Sequence, residues 1–192
     1  MSTPTLVANL TLDMAGMPTI DDFTTDSTEV GEYLRRWWPV IFKEMLEKGS
    51  WPQFRKRQSL ALLDSTPGTD LLYGFSKPDD FIRIEQILTD NVHYFTLADN
   101  GTIRADVSAL LIEYVSDSLI YLPNLWGPTF ELAFRSALAA RLHAKFDTDK
   151  EKEAAMNQQA IATTREAQIQ AGQQQNRKTF RMTTWRGEEV VW

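Results

Sequence analysis

Apolar residues recur at helical and strand periods along most of this chain, and the two periods alternate. Near the start, Leu6, Leu10 and Met14 form a one-sided stripe, with Thr3 placed to cap, Pro4 at the first helical position and Gly16 past the end. This predicts a helix over 3–15. After a polar loop, Val30, Leu34, Trp37, Ile41 and Met45 recur at steps of three and four. They predict a second helix over 27–48, starting near Asp26 or Ser27 and ending at Gly49. Pro39 falls inside it and costs about 3 kcal/mol in a helix interior. Either the helix kinks there, or it stops at Trp38 and restarts; the unbroken apolar phase favours the kink.

From Trp51 to Val115 the period changes to two. "SLALL" is short and apolar, "FIRIEQIL" alternates like a half-buried strand, and "ALLIEYV" is a further strand. "HYFTLADNGTIRADV" reads as a hairpin whose Asn100-Gly101 pair suits a turn with positive φ at both central residues. Helix then returns. Phe130, Phe134, Leu138, Leu142 and Phe146 stand four residues apart and predict a helix over 128–146. Thr148-Asp149-Lys150-Glu151 is a capping-box pattern that opens a last helix, 148–172, rich in alanine, glutamine and charge. The expected fold is therefore α+β but mainly α: a helical bundle with a small antiparallel β insert over about 51–115, and an extended C-terminal tail. The domain is expected to span 1–172, with 173–192 as the tail.

Composition narrows the chemistry. The 192 residues contain no cysteine, which removes disulfides, thiolate metal sites and a cysteine nucleophile. The formal net charge of −6 argues against tight binding to a phosphate backbone. The first residues lack the basic region of a signal peptide, and no apolar run reaches the length of a membrane span. His93 and His143 have no ligand-like pattern around them. Asp21-Asp22 and Asp79-Asp80 are adjacent carboxylates, which point to opposite faces of an extended chain and read as turn or cap residues. No phosphate loop, nucleophile elbow or dinucleotide fingerprint occurs. Trp37, Trp38, Trp51 and Phe54 read as filling between helix and sheet rather than as a base-stacking platform. Arg35-Arg36 and Arg55-Lys56-Arg57 read as partners for neighbouring acids. No enzyme activity and no cofactor are expected.

The order of elements carries a resemblance. An aromatic-rich helix leads to Trp51 and Phe54; a strand entry follows with Tyr73, Pro78, Asp79, Asp80 and Arg83; and a late helix opens on Trp126, Pro128 and Phe130 and continues through Ala137, Leu138, Ala139 and Leu142. The chain resembles the head-to-tail adaptors of tailed bacteriophages, in particular the tail tubular protein A (gatekeeper) family of short-tailed phages. Pro52 lengthens the Trp51-to-Phe54 spacing relative to the family pattern, and the tail beyond Gly172 is less typical of it.

The resemblance implies a structural virion protein in the neck or tail, made in the bacterial cytoplasm. It implies a homo-oligomeric ring of about twelve copies between the capsid portal and the tail nozzle or tube. Such a ring extends the channel for genomic DNA without sequence-specific binding, and has no membrane partner. Acids facing that channel would let DNA slide. Small residues on the last helices (Ala139, Ala140, Ala154, Ala155, Ala160 and Ala162) would permit close packing. The tail alternates Phe180 and Met182 with Arg181 and Thr183, carries Trp185 and Trp192 as candidate anchors, and gathers Arg177, Lys178, Arg181 and Arg186. It is expected to be disordered in the free chain and to order on the portal or a neighbouring subunit; the alternative is that it folds back as a last strand. Three other functions fit less well: a nucleic-acid-binding or packaging regulator, a small enzyme whose site no motif marks, and a connector or stopper of a long-tailed phage.

Overall fold

The computed structural model describes residues 2–65, 71–97, 101–146, 154–155 and 157–172. It divides into two compact units. One comprises the described residues of Met1–Gln53 and Leu119–Trp192, the other Phe54–Ser118.

The first unit is helical. Helix α1 (Pro4–Met14) is capped by Thr3, whose hydroxyl accepts from the Leu6 amide, and Gly16 leaves it at φ 66°, a conformation glycine adopts freely. Helix α2 (Glu29–Lys48) is capped by Thr28 and runs through Pro39 without a break. Helix α3 spans Pro128–Phe146, and residues 154–155 and 157–172 form α4. Both α1 and α2 pack on α3.

The buried face differs in phase from the sequence expectation in α1, shifts at one tryptophan in α2, and matches in α3. In α1 the core side is Val7, Ala8, Thr11 and Leu12, while Leu6 is exposed. In α2 it is Leu34, Trp38, Ile41, Phe42, Met45 and Leu46, so the core takes Trp38 and leaves Trp37 half-buried. In α3, Phe130, Phe134, Leu138 and Leu142 are fully buried, as the four-residue spacing requires.

Aromatic rings fill the centre of this unit. Trp38 stands 4.7 Å from Phe23 and 4.8 Å from Phe134, and Phe130 stands 4.9 Å from Trp51 and 5.3 Å from Trp126. Each buried indole finds an acceptor: Trp38 Nε1 donates to the Ile120 carbonyl, Trp51 Nε1 to Met45, and Trp126 Nε1 to Leu119. Packing and hydrogen bonding are thus satisfied together, as large buried indoles require.

The second unit corrects the expected fold. It is not a small insert in a helical bundle but two antiparallel sheets, which makes the fold α+β. Strands β1 (Arg55–Ser59), β7 (Leu111–Ser116) and β4 (Phe81–Ile87) form one sheet, in the order β1-β7-β4. Strands β2 (Leu62–Ser65), β3 (Tyr73–Ser76), β6 (Thr102–Ala105) and β5 (Phe95–Leu97) form the other, in the order β2-β3-β6-β5.

The physical reason is a core of the unit's own. Leu60, Phe75, Ile103, Ala105, Leu110, Ile112 and Tyr114 form one buried cluster, drawn from both sheets. No strand contributes more than two of these residues, and Leu60 and Leu110 flank β1 and β7, so no single segment announces a core. The expected hairpin is present as β5 paired with β6, and Gly101 at its end has φ 78°. Asn100 lies outside the described residues, as do the capping-box residues Thr148, Asp149, Lys150 and Glu151, and the whole of 173–192.

Candidate interaction site

The helical unit carries an open groove of about 600 Å³ between α2, α3 and α4. Its floor is apolar and made of Ile41 and Met45 from α2, Ala137 and Ala140 from α3, and Ala160 from α4. Small side chains create the space: Ala137, Ala140 and Ala144 of α3 and Ala160 of α4 all line it. Of the alanines expected to permit close helix packing around a ring, Ala139, Ala140 and Ala160 are buried within the chain, and Ala154, Ala155 and Ala162 are exposed.

The rim carries Glu44, Lys48, Arg141 and Arg165, an excess of cations in a chain whose net charge is −6. Glu44 lies 3.8 Å from both Lys48 and Arg141. The Arg141 guanidinium stacks over the Trp37 ring at 4.8 Å, which fixes its position on the rim. A groove of this size with an apolar floor and a charged rim suits a peptide or side-chain anchor.

The sheet unit carries a polar cluster centred on Asp80. One carboxylate oxygen accepts from Lys56 Nζ at 2.6 Å and from the Ser116 hydroxyl at 2.6 Å; the other accepts from the Tyr114 hydroxyl at 3.0 Å. Burial alone would raise the Asp80 pKa, but these hydrogen bonds and the Lys56 charge outweigh it and hold it below the ordinary carboxylate value. Burial first, and then the bond and charge of Asp80, push Tyr114 up to about 12. Neither group is placed to exchange a proton near neutral pH, so this geometry suits fixing the β4 entry against β1 and β7 rather than acid–base catalysis.

On the other face of the same sheet, Arg55 bridges Glu85 at 2.9 Å and Glu113 at 3.5 Å, Arg57 meets Glu113 at 2.7 Å, and Arg83 pairs with Glu85. The basic triplet Arg55-Lys56-Arg57 is therefore paired with acids, as its sequence neighbourhood suggested.

Other candidates resolve individually. Asp22 is a turn residue: its side chain accepts from the Thr24 hydroxyl and from the Thr24 and Thr25 amides, which hold its pKa below the ordinary value. Asp80 is more than a turn residue, which the sequence reading missed. His93 is exposed and His143 is buried on α3. Among the described residues no three acidic or histidine side chains gather to hold a metal ion, and no helix is long and apolar enough to cross a membrane. The candidate docking residues Arg177, Lys178, Phe180, Arg181, Met182, Trp185, Arg186 and Trp192 lie outside the described residues. Compared with known proteins, the sequence matches no family model and no curated protein, so the reading of function rests on the residues themselves.

Proposed function

We propose that this chain is a ring-forming adaptor between the capsid portal and the tail of a tailed bacteriophage, where it extends the channel through which the genome passes. The observation that carries the reading is the meeting of two distant motifs. Trp51, from the element that closes the first helical part, packs edge-on against Phe130, from the late Trp126–Phe130 element, at 4.9 Å. Residues that carry the family resemblance thus support one another in one core, as parts of a common architecture would.

Three further observations support it. The open groove and the sheet unit offer docking surfaces, as a protein whose product is a shape requires. The polar cluster at Asp80 (itself one of the resembling residues) serves to hold a strand entry. The acidic balance suits a lining over which DNA slides.

The test is co-sedimentation with the portal protein of the same genome, using the full chain and a chain ending at Gly172. Many copies of the full chain per portal support the adaptor reading, and loss of binding on truncation assigns docking to 173–192. Absence of binding by either chain removes the reading.

A further inference from the structure

The four-stranded sheet has two open edges. In the order β2-β3-β6-β5, the outer sides of β2 and β5 pair with no strand among the described residues. Every neighbouring pair in the sheet is antiparallel. Because the number of strands is even, β2 and β5 run in opposite directions. A second copy set beside the first in the same orientation therefore brings its β2 antiparallel to the first copy's β5. A sheet with an odd number of strands would present parallel edges, and the same displacement would give the less stable parallel pairing.

Exposed apolar side chains collect on these two edges. Leu62 and Leu63 on β2, Phe95 and Leu97 on β5, and Tyr94 just before β5 each expose half or more of their surface. The inner strands instead bury Phe75, Ile103 and Ala105. Neither edge strand carries the lysine or proline with which monomeric proteins blunt an open edge. The one edge charge, Asp64, is held by Arg104 of β6 at 3.2 Å.

We infer that β5 of one copy pairs with β2 of the next, so that the sheet continues from subunit to subunit. The contact joins two different strands and is heterologous, the kind that propagates around a closed ring. Main-chain hydrogen bonds supply the pairing and the exposed leucines and aromatics bury one another across it. The inference deepens the ring proposal, on which its setting in a virion rests, by naming the subunit contact; the sheet geometry carries it independently.

The chain has no cysteine, so introduced cysteines report without background. Leu63→Cys and Thr96→Cys both change exposed positions and leave the core intact. Concentrated full-length protein would be treated with a short-arm bis-maleimide. The double variant is expected to give a ladder of dimers, trimers and higher species. Each single variant alone should remain monomeric, and a mixture of the two single variants should stop at dimers. Leu97→Lys in the double-cysteine background should reduce the ladder to the level of the single variants.

Dimers from either single variant would show a like-with-like contact and overturn the head-to-tail arrangement. No ladder at any concentration would overturn the strand contact altogether. If the ladder is absent while the portal still gathers many copies, the strand contact falls and the adaptor reading stands. A ladder without portal binding gives the reverse.

Discussion

Replacing Asp80 with asparagine isolates the polar cluster of the sheet unit. The substitution keeps shape and volume but removes the charge that gathers Lys56, Ser116 and Tyr114. Lys56 is about half exposed, so its ion pair contributes little, about 0–1 kcal/mol. Ser116 and Tyr114 are buried, and hydrogen bonds to a charged partner are worth about 1.5–3 kcal/mol. Asparagine retains one carbonyl oxygen, so part of that is kept, and the expected net loss is about 2 kcal/mol.

The loss must depend on pH. Asp80 has a depressed pKa in the folded chain. Its contribution is therefore present above the unfolded value of about 3.9 and disappears as pH falls through the lower folded value. All the tryptophans lie outside 54–118, so tryptophan fluorescence does not originate in this unit. Amide hydrogen exchange of β7 reports on it directly. At neutral pH, Asp80→Asn should speed exchange of the most protected β7 amides roughly 30-fold, with the difference shrinking in acid. A change below about 0.5 kcal/mol, or one of the same size at neutral and acid pH, would refute the assignment of Asp80 as a strand-positioning anion.

Three other outcomes follow from the same structure. Phe130→Ala, at a fully buried ring in contact with Trp51 and Trp126, should destabilise the helical unit by about 3–5 kcal/mol in urea unfolding followed by tryptophan fluorescence; a loss under about 1 kcal/mol would contradict the aromatic core. Tyr114 has a raised pKa, so its stabilisation is full below the unfolded value of about 10 and lost as pH rises toward its folded value of about 12. Ultraviolet absorbance should show one tyrosine ionising last, and Tyr114→Phe should remove that step. Binding to duplex DNA, followed by fluorescence anisotropy at low salt, should be weak and independent of sequence, given the net charge of −6; tight, salt-dependent binding would favour the regulator reading instead.

The helices were legible because their signals are local and repeated. The four-residue spacing from Phe130 to Leu142 in α3 needs only one face to be read, and the core uses that face. Phase was harder where two bulky residues adjoin. Trp37 and Trp38 both fit an apolar stripe, and only the ring contacts of Trp38 with Phe23 and Phe134 decide between them. In α1, Leu6 is larger than Val7 or Ala8, yet the tight packing of α1 on α3 takes the smaller residues.

The sheet unit was undercounted because its core is assembled from short strands far apart in sequence. Phe75 and Ile103 pair across β3 and β6, and neither segment alone carries more than two buried apolar residues. The cluster at Asp80 was invisible for the same reason: its partners Lys56, Tyr114 and Ser116 stand 24, 34 and 36 residues away. Ala140 and Ala160 were legible as small packing residues, but the groove they line depends on which helix faces them.

The adaptor reading is tested most directly by electron microscopy of the purified portal incubated with the full-length chain. The expected image shows an added ring of about twelve copies, coaxial with the portal and continuing its channel. A portal that emerges bare from a saturating excess of folded protein would contradict it.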